Sequence, residues 1–119
     1  MRDLTMNAPE ILIHLLGQCD STRWQQVYYG IEEEGIPYRI VQVTGSDPVQ
    51  AAHLAAQQSP LQVGLGGDER QLAVHYKTLQ PEQPMFRLTS QAQQSSQSLR
   101  CLGANAARLV KGLPFKPIN

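Results

Sequence analysis

Three consecutive carboxylates, Glu32, Glu33 and Glu34, are the residues of this chain whose placement most invites chemistry. They sit in Gly30-Ile31-Glu32-Glu33-Glu34-Gly35-Ile36-Pro37. Gly35 suits the residue just past a helix end, and Pro37 cannot continue a helix. The three glutamates therefore fall in a last helical turn, where the macrodipole is negative. Each costs about 0.3–1 kcal/mol there, less when well solvated. A cation held at this helix end would offset that cost, which makes the acidic run a candidate site.

The helix that carries the run sets where it points. Trp24, Val27, Tyr28 and Ile31 are spaced by three, four and seven, which marks one buried stripe. At about 100° per residue, Glu33 falls almost opposite the centre of that stripe. Gln26, Tyr29 and Gly30 are expected to share its side. The outer face thus combines an aromatic ring, a carboxylate and a glycine that lets another backbone come close. Inside a helix that glycine costs about 0.8–1 kcal/mol relative to alanine. Two readings stand side by side: a solvated face with an incidental glycine, and a docking face for another chain formed by Gln26, Tyr29, Gly30 and Glu33.

The rest of the composition narrows the classes. At 119 residues the chain is expected to form one domain, 1–119, with a single core. Hydrophobic content of 41% argues against disorder. Ten basic and ten acidic residues balance, and no Lys/Arg cluster interleaved with aromatics is present, which argues against nucleic acid as a partner. The first seven residues lack the apolar core of a signal peptide. The apolar run at 11–16 is far too short to span a bilayer. Cys19 and Cys101 make neither a disulfide framework nor a metal site, so the chain reads as cytosolic with free thiols.

The elements that must position the acidic run follow from pattern. Residues 10–16 suit a buried first strand ended by Gly17. Ser21 or Thr22 can cap the first helix. Residues 38–44 form a β-rich run. Asp47-Pro48 supplies an N-cap and a proline at the first helical position of an Ala-rich helix that runs to about Gln58. Residues 61–65 give a third strand, Gly66-Gly67-Asp68-Glu69 a tight hairpin connection, and 71–76 a fourth strand antiparallel to the third. Residues 84–88 form a short fifth strand. The segment 91–98 is polar, partly loop, and a last helix spans about Ser96 to Lys111. The order β-α-β-α-β-β-β-α predicts a three-layer α/β/α fold around a mixed, mostly parallel five-stranded sheet.

Catalytic signals are missing. Gly64-Leu65-Gly66-Gly67 lacks the third glycine of a dinucleotide fingerprint and the Gly-Lys-Ser/Thr of a P-loop, and no helix opens directly after it. It reads as a hairpin. His14, His53 and His75 are isolated in sequence and read as structural. No Gly-x-Ser-x-Gly elbow is present, and neither is Asp-x-His-x-x-Gly, the pattern of one large class of cobalamin proteins. No catalytic residue is assigned. In the last helix Leu99, Leu102, Ala106, Leu109 and Leu113 form an apolar stripe. Arg108 and Lys111 sit at the end that favours cations, Gly112 caps it and Pro114 stops it. Gly103, Ala104, Ala106 and Ala107 keep part of its surface thin, either to fit close to the sheet or to meet a partner.

Leu102-Gly-Ala-Asn-Ala-Ala-Arg-Leu-Val-Lys111 with Gly112-Leu113-Pro114, Gly30-Ile-Glu-Glu-Glu-Gly-Ile-Pro37 and Ser59-Pro-Leu-Gln-Val-Gly-Leu-Gly66 together resemble the small (beta) subunit of diol/glycerol dehydratase reactivase. The segments keep the family's order and spacing over nearly the whole chain. The resemblance implies a fold similar to the dehydratase medium (beta) subunit and a role without catalysis. In that family the reactivase releases damaged cobalamin from adenosylcobalamin-dependent dehydratase in an ATP-dependent, chaperone-like way. The ATPase belongs to the large subunit, and the small subunit exchanges places with the dehydratase medium subunit. The implied partners are the large subunit, in a heterotetramer, and transiently the dehydratase. The implied setting is cytoplasmic, with a bacterial microcompartment as one possible location. By residue match Glu33 helps bind a divalent cation, Mg²⁺ in character, at the junction with the large subunit. No ATP or cobalamin is expected on this chain alone. Glu34 departs from the family, where a neutral residue such as Gln is familiar. Two other classes stay open: a medium-subunit-like component of the dehydratase itself, which would touch cobalamin, and a free-standing α/β ligand-binding module.

Overall fold

A computed structural model describes residues 8–89 and 94–118; the first seven residues and part of the polar 91–98 segment lie outside it. Three parallel strands open the fold: β1 (Ile11–Leu16), β2 (Tyr38–Val43) and β3 (Val63–Gly67). β4 (Leu72–Tyr76) and β5 (Phe86–Leu88) follow antiparallel. The sheet order is β2-β1-β3-β4-β5, with β1 central between β2 and β3. The helices are α1 (Gln25–Glu33), α2 (Pro48–Gln58) and α3 (Ser96–Lys111). The predicted element order and mixed sheet are what the chain adopts.

Strand alternation divides the layers. Ile11, Ile13, Leu15, Val63, Leu65, Leu72 and Val74 face α1 and α3, where they join Trp24, Val27, Tyr28, Ile31, Leu99, Leu102 and Ala106 in the main core. The opposite face meets α2 through Val49, Ala52 and Ala73. Along β3 the residues turned to α2 are Gly64 and Gly66. A Cβ at Gly64 would lie 2.2 Å from the Ala56 nitrogen, and one at Gly66 2.3 Å from the Ala52 nitrogen. Bare backbone is what lets α2 lie flat on the sheet. This corrects the hairpin reading of the glycines. β3 runs on through Gly67, and the turn begins at Asp68, whose carboxylate accepts from the backbone N–H groups of Arg70 and Gln71 at 2.8 Å.

Three smaller expectations also change. Neither Ser21 nor Thr22 caps α1. Asp20 accepts from the Thr22 backbone N–H at 2.9 Å, starts a 3₁₀ turn over Ser21–Trp24, and α1 follows at Gln25. The histidines are not all isolated, since the His53 and His75 rings meet edge to face 4.9 Å apart. Buried His75 also has ring nitrogens 3.2 Å and 3.0 Å from the carbonyl oxygens of Tyr76 and Pro81. Leu113 leaves the apolar stripe, because Gly112 takes a left-handed φ of 71° and turns the chain outward before it.

Candidate functional site

α1 shares one face of the sheet with α3 and packs against it side by side, and that second neighbour decides what its faces do. Gly30 is buried, and a Cβ there would stand 2.0 Å from the Arg100 carbonyl oxygen and 2.7 Å from the Ala104 nitrogen. Reciprocally, a Cβ at Gly103 would stand 1.9 Å from the Val27 carbonyl oxygen. The backbone that Gly30 admits is therefore that of α3 in the same chain. Gly30 does not share the outer face with Glu33, which corrects its expected place. A single-stripe reading sees the sheet contact of a helix and misses the flank buried against a neighbouring helix. The thin surface of α3 is accounted for in the same way.

Gln26, Tyr29 and Glu33 do stand together, one above the other along α1, and they converge on Arg100 of α3. The Arg100 guanidinium donates to Gln26 Oε1 at 2.7 Å, lies 5.8 Å from the Tyr29 ring centroid and reaches Glu33 Oε2 at 3.5 Å. Both members of the Arg100–Glu33 pair are about half exposed, at 44% and 48%. Such a pair contributes about 0–1 kcal/mol. Tyr29 is one of the exposed large apolar side chains, at 40%. Beside the cluster runs an open groove of about 470 Å³ lined by Glu33, Ser96, Gln97, Arg100, Cys101 and Lys116.

The other two glutamates are engaged differently. Glu32 accepts from the Tyr38 hydroxyl at 2.6 Å, and burial together with that carboxylate pushes the phenol up to about 12. Glu34 is nearly enclosed. Its carboxylate takes Lys111 Nζ at 2.8 Å and Arg108 Nε at 3.2 Å, and Lys111 also donates to the Glu34 carbonyl oxygen at 2.9 Å. The Lys111 hydrogen bond, with Arg108 beside it, holds this carboxyl below the usual carboxylate range. Arg108 and Lys111 thus serve both helix ends at once, their own and that of α1. This role of Glu34 was not assigned from sequence. The cations of α3 offset the dipole cost of the acidic run from within the chain.

Chemically the site offers one half-free carboxylate, one aromatic ring and one loosely held guanidinium. Among the described residues no group of three or more His, Cys, Asp or Glu side chains is arranged to hold a metal. The Cys19 thiol is buried, and burial with the nearby Glu69 and Asp68 carboxylates raises it above the ordinary thiol value, away from the reactive thiolate. No helix among the described residues is long and apolar enough to cross a membrane.

Comparison with known proteins places this geometry in a family. The dehydratase medium subunit family model matches residues 8–116. The diol dehydratase-reactivating factor small subunit of Klebsiella michiganensis is 46% identical over 113 residues, 95% of this chain and 88% of the relative. The propanediol dehydratase-reactivating factor small subunit of Salmonella typhimurium is 44% identical over 98% of each chain. A solved diol dehydratase-reactivating factor complexed with ADP and Mg²⁺ superposes with a TM-score of 0.86 at 46% identity, over 92% of this chain and 99% of its counterpart. A glycerol dehydratase reactivase matches with the same TM-score at 30% identity. The chain belongs to the dehydratase medium subunit family, among the small subunits of dehydratase-reactivating factors.

Proposed function

We propose that this chain is the non-catalytic small subunit of a two-subunit factor that reactivates an adenosylcobalamin-dependent diol or glycerol dehydratase. The reading is carried by one observation: likeness in sequence and in fold extends over nearly the full length of both this chain and its reactivating-factor relatives. The large subunit carries the ATPase. The small subunit, whose fold is that of the dehydratase medium subunit family, trades places with the medium subunit, and the damaged cobalamin leaves while the dehydratase is open. The factor is a heterotetramer that meets the dehydratase transiently, in the cytoplasm or in a microcompartment within it. This chain alone binds neither ATP nor cobalamin.

The outer face of α1 is the docking face for the large subunit. Gln26 and Tyr29 flank Glu33 there. Glu33 supplies one carboxylate oxygen to a divalent cation whose remaining ligands come from the large subunit and water. Its half exposure and the hardness of carboxylate oxygen suit that part. Glu34 has no such part, because two cations of its own chain already enclose it.

The test is Glu33→Gln, which keeps size and removes charge. The variant should fold as well as the parent, bind the large subunit more weakly, and lose most of the sensitivity of that binding to EDTA. Unchanged affinity with unchanged EDTA response would leave the acidic run a solvated helix end.

A further inference from the structure

We infer that the cleft between the carboxyl ends of β1 and β2 and the start of α2 is a binding site for a small neutral polyol, held by His14, Thr44, Ser46 and Gln50. The cleft lies on the α2 face of the sheet, away from the outer face of α1, and the inference does not rest on the role given to Glu33.

Strand alternation turns Ile13 and Leu15 to the main core, so His14 faces α2. There it forms the floor of a cavity of about 130 Å³ and is only 3% exposed. Its Nδ1 is enclosed and has no hydrogen-bond partner within the chain. Native structures leave few buried polar atoms unmet. Burial holds the ring below its ordinary pKa, which keeps it neutral at neutral pH. A neutral imidazole offers one donor and one acceptor in either tautomer.

The walls around this floor are fixed by the fold. Gly45, at a φ of 133°, bends the β2–α2 loop over Leu16; a Cβ there would stand 3.3 Å from Leu16 Cδ2. Asp47 caps α2 by accepting from the Val49 N–H at 3.0 Å, and Gly64 and Gly66 seat that helix on the sheet. Thr44, Ser46 and Gln50 supply two hydroxyls and an amide, while Leu16 and Leu54 make the apolar side. An apolar wall with a few convergent polar groups is the common build of a small-molecule site. Open α/β sheets place such sites outside the carboxyl ends of their strands.

The lining selects the ligand. Among the described residues no lysine or arginine lines the cleft, so an anion finds no counter-charge. Its single carboxylate, Asp47, is engaged in the cap at the positive end of α2, so it holds a cation poorly. Neutral donors and acceptors remain, and they match hydroxyl groups, which act as both. The volume equals about four waters at roughly 30 Å³ each, room for a chain of about three carbons bearing two or three hydroxyls. Under the proposed function, compounds of this class are also what the client enzyme consumes, so the cleft gives the subunit a contact with substrate level separate from its docking face.

The experiment titrates propane-1,2-diol into the ¹⁵N-labelled full chain and follows the Gly45, Gln50 and Ala51 amides and the His14 ring nitrogens by NMR. Saturating shifts at these positions are expected, with a Kd of about 1–10 mM. Glycerol should shift the same signals, and propan-1-ol, with one hydroxyl fewer, should bind about tenfold more weakly. Thr44→Val and Ser46→Ala alter exposed side chains and should each weaken diol binding about three- to tenfold. His14→Phe should abolish it; if that variant does not fold, the Thr44 and Ser46 variants decide. Shifts that stay linear with diol concentration would mean that water alone serves His14, and the site is refuted. Equal binding of propan-1-ol, or no effect of the Thr44 and Ser46 variants, would reduce the cleft to an apolar void and refute it as well. The titration needs only this chain, so its failure leaves the proposed pairing with the large subunit standing.

Discussion

α1 and α3 press backbone against backbone at Gly30 and Gly103, and this gives a sharp prediction for Gly103→Ala. A Cβ at position 103 would stand 1.9 Å from the Val27 carbonyl oxygen, 2.8 Å from its carbonyl carbon and 3.1 Å from the Ile31 nitrogen. Cβ atoms essentially never approach closer than 3.0 Å, so the helices must separate by at least 1.1 Å at that point. The obstacle is backbone, so no rotamer change relieves it. Val27, Ile31, Leu99, Leu102 and Ala106 all belong to the same core and lose contact as the helices part. Overpacking of this kind costs about 1–3 kcal/mol, and a rigid backbone obstacle puts it at the upper end. Alanine returns about 0.8–1 kcal/mol of helix propensity. The net loss is about 1–2 kcal/mol. With an unfolding entropy of about 2.1 cal/mol/K per residue, each kcal/mol lowers Tm by about 4 °C for a chain of this length. Thermal melting by circular dichroism should therefore show a fall of about 4–8 °C, with a matching drop in the urea midpoint at unchanged slope. A Tm equal to or above that of the parent would refute the backbone-contact account of the two glycines.

Two further outcomes follow from the polar contacts. Glu34 is held below its ordinary range by Lys111 and Arg108, so its stabilisation is full above the unfolded value of about 4.3 and is lost as pH falls below it through the folded value; Glu34→Gln should thus be less stable than the parent at pH 7, with the difference shrinking in urea titrations as pH falls below about 4.3. Asn105 is fully buried and clamps the C-terminal segment, donating to the Lys116 carbonyl oxygen at 2.8 Å and accepting from the Lys116 N–H at 2.6 Å; Asn105→Ala should cost about 1–3 kcal/mol and speed hydrogen exchange at residues 113–118, and unchanged exchange there would mean the tail is held by other contacts.

How much could be read from sequence depended on whether a residue's role was local. The bounds of α3, its Gly112 cap, and the Asp47-Pro48 start of α2 were legible because capping and period act within a few residues. The order of elements followed, and with it the mixed sheet. Glycine was where reading failed, because a turn glycine and a close-packing glycine look alike until the neighbouring helix is in place. Gly66 and Gly67 were read as the start of a hairpin connection and proved to lie in β3, where Gly66 seats α2; Gly30 was read as an outward opening and proved to seat α3. Of the candidate site, the line Gln26, Tyr29, Glu33 was legible from helical spacing alone. Its partner Arg100, 74 residues from Gln26, was not. One signal pointed that way: a chain of zero net charge with an acidic end on one helix has its compensating cations elsewhere, and α3 carries three of them.

The central claim is that this chain works only as one half of a reactivating pair. The direct measurement takes dehydratase inactivated with damaged cobalamin still bound and follows release of the cobalamin by its absorbance after filtration. It is run with the large subunit, ATP and Mg²⁺, with and without this chain. The account predicts release and recovery of dehydratase activity only when both subunits are present, and none from this chain with ATP alone. Equal release by the large subunit without this chain, or failure of the two to associate, would contradict it.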